Sequence, residues 1–252
     1  MTRTIVITGA ASGIGKATTD LCRAAGDRVI GVDLAGSDIN VDLGRPEGRV
    51  AMIDAVGQLA PDGIDGLLAG AGISRPDPAT IAVNYFGALA TLDGLRPLLA
   101  KSARPRAVAI CSTAAMLAGN DAVVQACLAG PEEAALDLCA AAPASAYLDS
   151  KKALALWLRR AATAPDWARA GIALNGIAPG VVLSPMTAPL FKDPAMVAAV
   201  QQSNPIVTKT YAQPEEIAEV IRFLLCLETP YLLGQVIFVD GGSDALLRPD
   251  QF

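Results

Sequence analysis

The sequence predicts an α/β fold: a doubly wound parallel sheet with helices on both faces. Three observations carry that reading. Short, nearly continuous apolar runs alternate with helical patterns along the 252 residues, the mark of strands buried on both sides beneath crossover helices. The first 33 residues already spell strand, turn, helix, strand, a βαβ unit. No Pro/Ser-rich linker or shift in composition breaks the rhythm, so residues 1–252 read as one domain, ample for a proper core.

The elements follow in order. An apolar run at 4–8 ends in glycines, and a helical pattern at 14–25 is closed by Gly26. A second strand at 28–32 ends at Asp33. A short strand is expected at 39–43, a helix at 47–59 and a strand at 63–69. A long helix is expected at 81–99, with Pro97 kinking it or ending it early because proline has no N–H to donate. Then come a strand at 107–112, a helix at 145–162, a strand at 171–177, a helix at 214–227 with Pro214 in its first turn, and a last strand at 236–239. Two segments fall outside the alternation. Residues 115–144 are Ala-rich, with Gly130-Pro131 between two possible helices. Residues 181–212 hold Pro185, Pro189, Pro194 and Pro205 and follow a strand. Loops past the carboxyl ends of parallel strands build ligand sites, so 181–212 is a candidate substrate loop, with a plain surface loop as the alternative.

Composition narrows the chemistry. The chain has no histidine, which excludes Ser-His-Asp and Cys-His nucleophiles and most catalytic zinc sites. Any proton transfer must use Tyr, Lys, Asp, Glu or Cys, and no metal site is expected. Twenty Lys+Arg against 25 Asp+Glu leave a charge of −5, which argues against a nucleic-acid partner. Five scattered cysteines, none in a C-x-x-C pair, read as reduced and mostly buried thiols. The N-terminus has no secretory pattern and no apolar stretch approaches a membrane span, so the expected location is cytoplasmic.

The segment Thr8-Gly9-Ala10-Ala11-Ser12-Gly13-Ile14-Gly15 lies between the first strand and the first helix. Glycines there permit a tight turn and close approach of a pyrophosphate, with the helix N-terminus offering free N–H groups. Asp33 stands 20 positions past Gly13, at the end of the second strand, where a carboxylate can accept both hydroxyls of an adenosine ribose. It would repel a 2′-phosphate, and neither Leu34 nor Ser12 is basic, so NAD is favoured over NADP; a solvated strand-end residue is the alternative. Asp42 is placed to meet the adenine amino group, or else lies in water.

Tyr147 and Lys151 are four apart within a predicted helix and share a face. A phenol is a poor base at neutral pH, and a fixed ammonium nearby would lower its pKa. Lys152 points about 100° away around the helix.

To these are added Gly70-Ala71-Gly72, Asn84 in Val83-Asn84-Tyr85-Phe86-Gly87, Ser112, Asn175-Gly176-Ile177-Ala178-Pro179-Gly180 and Asp240-Gly241-Gly242. In this order the set resembles the short-chain dehydrogenase/reductase family along nearly the full chain. The resemblance implies a Rossmann-like sheet of about seven strands, NAD as cofactor, and a catalytic group of Asn84, Ser112, Tyr147 and Lys151. Tyr147 would be the general acid/base, Ser112 would orient the substrate oxygen, and Lys151 would lower the phenol pKa and bind the nicotinamide ribose. Asn84 would hold a water linking Lys151 to solvent. Cofactor contacts would come from Gly9, Ser12, Gly13, Ile14, Gly15, Asp33, Asp42, Leu43, Ala71, Gly72, Pro179, Gly180, Val182 and Ser184, besides Tyr147 and Lys151. Ser112, Thr113, Ala115, Met116, Met186, Leu190 and Phe191 are candidates for the substrate pocket, with Met196 a further apolar side chain and Thr113 a hydroxyl competing with Ser112.

The chain departs from the family pattern. Ala69-Gly70-Ala71-Gly72 lacks the usual amides, and only twelve positions separate Gly72 from Asn84, so the intervening helix should be shortened or lost. Ser112 and Tyr147 are 35 apart, far more than usual, which implies an insertion of two helical turns or more. These features look most like the bacterial 3α-hydroxysteroid dehydrogenase/carbonyl reductases, in which a comparable insertion disfavours a tetramer and favours a dimer. The expected activity is interconversion of a secondary alcohol and a ketone on a bulky apolar substrate, a 3α-hydroxysteroid being one candidate. An aryl or allylic, cinnamyl-type alcohol is the alternative. A non-catalytic dinucleotide sensor is disfavoured by the presence of both Tyr147 and Lys151.

Overall fold

A computed structural model describes residues 2–251. Seven parallel strands form one sheet in the order β3-β2-β1-β4-β5-β6-β7. They are β1 Thr4–Thr8, β2 Arg28–Asp33, β3 Ile39–Asn40, β4 Gly66–Ala69, β5 Arg106–Ile110, β6 Ala173–Pro179 and β7 Val236–Val239. The longer helices are α1 Gly13–Ala24, α2 Pro46–Leu59, α4 Ala88–Leu99, α7 Ala146–Thr163 and α10 Pro214–Cys226, with α5 Asp121–Ala129, α6 Glu132–Ala141 and α9 Pro194–Ser203. Short helices α3 Pro78–Ile81, α8 Pro165–Ala168 and α11 Ser243–Leu247 complete the set. No described helix is long and apolar enough to cross a membrane.

The continuous apolar strands have a direct cause. Side chains alternate across a strand, and here both faces are covered. In β1, Ile5 and Ile7 pack with α1 and α10 residues such as Cys22, Ile217 and Ile221, while Val6 packs with Met52, Leu92 and Leu154 of α2, α4 and α7. In β5, Val108 and Ile110 face the first layer and Ala107 and Ala109 the second. Strand order reverses direction at β1, with β2 on one side and β4 on the other, so a crevice opens at the carboxyl ends of β1 and β4.

Several boundaries differ from expectation. The strand expected at 39–43 keeps only Ile39–Asn40, and β6 runs on to Pro179. The helix expected at 81–99 is three pieces: α3, a π-helical turn Ala82–Gly87, and α4. Pro97 does not end it early; it sits in the last turn, and the helix closes at Leu99. α3 is the shortened helix between Gly72 and Asn84.

Residues 115–144 fold as α5 and α6 on either side of Gly130-Pro131, α5 packed on α7 and α6 on α5, α3 and the π-helical turn, burying Val123, Val124, Cys127, Ala135 and Cys139. Asp149 of α7, fully buried, accepts the Asn120 N–H and the Ser145 hydroxyl, each at 2.7 Å, and so pins both ends of this insertion. Residues 181–212 hold a 3₁₀ turn Ala188–Phe191 and α9, and a parallel bridge between Val182 and Ala212 closes their base.

Leu154 lies on α7, against the sheet, and is 1% exposed. Leu154→Ala is expected to cost about 2–5 kcal/mol in urea unfolding; a loss well under 1 kcal/mol would contradict that packing.

Candidate active site

The crevice is a cleft of about 330 Å³, and its first wall is the turn after β1. Gly9 and Gly13 hold positive φ values of 76° and 51°. Gly15 permits a closer contact still: a Cβ there would overlap the Gly9 carbonyl oxygen and lie 2.7 Å from its carbon. Ser12, in extended backbone, precedes α1 without capping it through its side chain, and α1 has no acidic residue in its first turn. The N-terminal N–H groups of α1 therefore face the cleft with no carboxylate to satisfy them, a seat for an anion.

Asp33 stands beside that turn. Its Oδ2 accepts the Ala11 N–H at 2.9 Å and its Oδ1 accepts the Leu34 N–H at 2.7 Å. The carboxylate is thus held by main chain, with lone pairs left toward the cleft. Asp42 also lines it, and its Oδ1 accepts the Gly44 N–H at 2.8 Å. Thr8 joins the two strand ends: its hydroxyl lies 3.4 Å from the Leu68 carbonyl and accepts the N–H groups of Gly70 and Ala71.

At the other end of the cleft lie Ser112, Tyr147 and Lys151. Ser112 lies two residues past β5, and its Oγ accepts the Ala114 N–H at 3.1 Å. Tyr147 is in the first turn of α7 and Lys151 one turn on. The Lys151 ammonium donates to the Ile110 carbonyl at 2.7 Å and lies 5.8 Å from the centre of the Tyr147 ring. Burial pushes Lys151 down to about 8. Burial also pushes the Tyr147 phenol up, opposed by its hydrogen bond to Ser112. For each group the loss of water is the largest influence, and the ammonium is turned to a carbonyl.

Asn84 is buried in the π-helical turn, behind the cleft wall. Its Oδ1 accepts the Ile73 N–H at 2.8 Å, and its Nδ2 donates to the Ile73 carbonyl at 2.9 Å and to Ser150 Oγ at 3.1 Å. Both amide hydrogens are committed, so Asn84 clamps the chain after Gly72.

All the expected cofactor residues line this one cleft: Gly9, Ser12, Gly13, Ile14, Gly15, Asp33, Asp42, Leu43, Ala71, Gly72, Tyr147, Lys151, Pro179, Gly180, Val182 and Ser184. The substrate candidates divide. Ser112 and Met186 line it; Thr113, Ala115, Met116, Leu190 and Phe191 do not. Thr113 turns away, donating to Asn204 Oδ1 at 2.8 Å near the end of α9, and Phe191 packs on Tyr211 with ring centres 5.4 Å apart. Cleft residues missed in the sequence include Val41, Ile73, Ile110, Cys111 and Thr187. Thr187 carried a signal: a hydroxyl three positions after Ser184, which accepts the Ser184 N–H at 3.0 Å and fixes that turn.

A family model described as enoyl-(acyl carrier protein) reductase matches residues 9–244. A 3-alpha-hydroxysteroid dehydrogenase/carbonyl reductase of Comamonas testosteroni is 36% identical, covering 98% of this chain and 99% of that one. The chain belongs to the short-chain dehydrogenase/reductase family. This short-chain dehydrogenase/reductase is also similar to the crystal structure of a 3-alpha-hydroxysteroid dehydrogenase from Pseudomonas sp. B-0831 complexed with NADH. The TM-score is 0.91, with 38% identity and 99% and 100% of the two chains covered. A coniferyl-alcohol dehydrogenase of Pseudomonas sp. is 32% identical over 94% of this chain and 95% of its own. The chain is therefore an oxidoreductase of this family.

The depressed Lys151 pKa has a consequence for stability. Between about 8 and the ordinary lysine value the unfolded chain holds a proton that the folded chain has released, so stability rises with pH across that window. From pH 8 to pH 10 the wild type should gain about 2 kcal/mol on Lys151→Met in denaturant titrations. Parallel curves for the two proteins would refute the assignment.

Proposed function

We propose that this chain is an NAD-dependent dehydrogenase/reductase, one catalytic domain, that interconverts a secondary alcohol and a ketone on a bulky apolar substrate. The observation that carries the reading is the meeting in one cleft of the Ser112-Tyr147-Lys151 group with the glycine turn and Asp33. The residues fit a dinucleotide: glycine at position 15 clears the turn, free N–H groups face a diphosphate, and a fixed carboxylate faces a ribose. Asp33 favours unphosphorylated ribose hydroxyls, and among the described residues lining the cleft the one basic side chain, Lys151, is at the other end. A structure related at 26% identity, a putative NAD(P) dependent gluconate 5-dehydrogenase from Beutenbergia cavernae, was determined with bound NADP at low occupancy, so cofactor choice rests on Asp33.

When bound, the nicotinamide supplies the hydride chemistry. The chain's own part is protonic and positional. Tyr147, its phenol raised by burial, holds its proton at neutral pH and delivers it to the carbonyl oxygen during reduction. Ser112 donates to that oxygen and keeps it beside the phenol. Lys151, below about pH 8, places a positive charge one helical turn from Tyr147 and would help hold the ribose of a bound nicotinamide cofactor. Asn84 keeps the wall after Gly72 in place. Alcohol oxidation needs the phenolate, so its rate should climb with pH above neutrality while reduction stays flat.

The likeness to enzymes named for 3α-hydroxysteroids supports a steroid-sized substrate, and Met186 offers an apolar surface at the mouth. A second reading, an aryl or allylic alcohol, is supported by the coniferyl-alcohol relative. A homodimer is favoured: α5 covers α7, whereas β7 is an edge strand and α10 exposes Phe223. Five free cysteines, four of them buried, fit a reducing compartment such as the cytoplasm.

Tyr147→Phe should lower turnover by about 10²-fold or more, read as NADH absorbance with steroid and cinnamyl substrates, while NADH still binds. Near-wild-type turnover would remove Tyr147 from the chemistry. Asp33→Ala should raise the KM for NAD about tenfold or more and narrow the preference over NADP; an unchanged preference would sink the cofactor assignment.

A further inference from the structure

Arg49, on the first turn of α2, is nearly buried and belongs to none of the motifs above. Its guanidinium meets Glu132, the first residue of α6, in a two-pronged ion pair at 2.6 and 2.8 Å. Its Nε donates to the Leu43 carbonyl at 2.7 Å, and its Nη2 reaches the carbonyls of Ala82 at 3.0 Å and Gly44 at 3.3 Å. The Phe86 ring lies 5.9 Å from its central carbon. One side chain thus ties three separate pieces: the 42–44 loop, the start of the π-helical turn, and the insertion. Leu43 and Asp42 on the first piece, and Val83 on the second, line the cleft beside Asp33.

The same loop is gripped by main chain. A Cβ on Gly48 would overlap the Asp42 carbonyl oxygen and lie 2.8 Å from its carbon, so α2 presses directly on Asp42. From the opposite side, a Cβ on Gly87 would come within 3.0 Å of the Leu43 carbonyl oxygen. The loop is sandwiched between α2 and the π-helical turn, and Arg49 bolts the sandwich shut. Without Glu132, a nearly buried guanidinium would keep only neutral carbonyl partners, and a buried charge left without its counter-ion is costly.

We infer that Arg49 and Glu132 are a positioning pair for the adenine end of the cofactor cleft, through which the α5–α6 insertion helps set dinucleotide affinity. This rests on the cleft taking a dinucleotide. Gln at 132 removes the charge while keeping size, at a partly exposed position, so the variant should fold.

The test is calorimetric titration with ADP-ribose, which keeps the adenosine, both phosphates and the second ribose but lacks the nicotinamide, and with NADH. Glu132→Gln and Gly48→Ala should each weaken ADP-ribose by about fivefold or more. Ala135→Gly, buried on α6 and not among Arg49's hydrogen-bond partners, should lower the melting temperature yet hold ADP-ribose affinity within twofold. Glu132→Gln within twofold of wild type, or Ala135→Gly weakening ADP-ribose as much as Glu132→Gln does, would overturn the pair's role. Wild-type protein that binds neither ligand would instead overturn the cofactor reading, and this one with it.

Discussion

Because every strand runs the same way, every carboxyl end delivers its chain to one edge of the sheet. This is the constraint the molecule is built on. Parallel pairing demands crossover helices, the helices bury both sheet faces, and the buried faces leave only that edge for a ligand. The glycine turn, Asp33, Ala71 and Gly72, Ser112, and Pro179 with Gly180 come from five different strand ends. They share a cleft because topology puts them there, and none of them needs a long loop to reach it.

That rigidity exacts a cost in charge. Lys151 sits where water is largely excluded, and its ammonium is kept by one carbonyl, that of Ile110, itself the last residue of β5. A lysine so placed titrates near 8 and adds nothing to the apolar packing of the fold. The neighbouring phenol is raised by the same burial. The two groups therefore sit in a free-protein state that a charged, phosphate-bearing ligand would change, since nearby charge acts strongly where screening is weak. Without any histidine, the titratable groups lining the cleft are carboxylates, Asp33 and Asp42, and groups that ordinarily titrate above pH 7, Cys111, Tyr147 and Lys151.

How much of this was legible in the sequence depended on the range of the interaction. The strands, α1, α7, the glycine turn and the places of Asp33 and Tyr147 are set by period and by neighbours within a turn, and they were readable. The break in the helix at 81–99 was not, because an i→i+5 turn keeps the apolar pattern of the helix it interrupts. Thr113 and Phe191 were assigned to the pocket by nearness along the chain, yet Asn204 and Tyr211 draw them elsewhere. A side chain beyond a strand end has no period to say where it points. Lys151's bond to a carbonyl 41 positions away was equally invisible.

Arg49 and Glu132 are the extreme case, 83 positions apart and in no motif. The insertion lengthens the chain between Ser112 and Tyr147, and a segment added at that place is easily taken as a cover over α7. Its own anchoring argues for more. Asp149 binds it to α7, and Glu132 binds it to the arginine that fixes the 42–44 loop. Neither anchor lines the cleft, but each is joined to a part that does: Asp149 shares α7 with Tyr147 and Lys151, and Arg49 holds the Leu43 carbonyl. A segment tied to both parts cannot shift without straining one of them, so its packing and the geometry of the cleft are one mechanical problem.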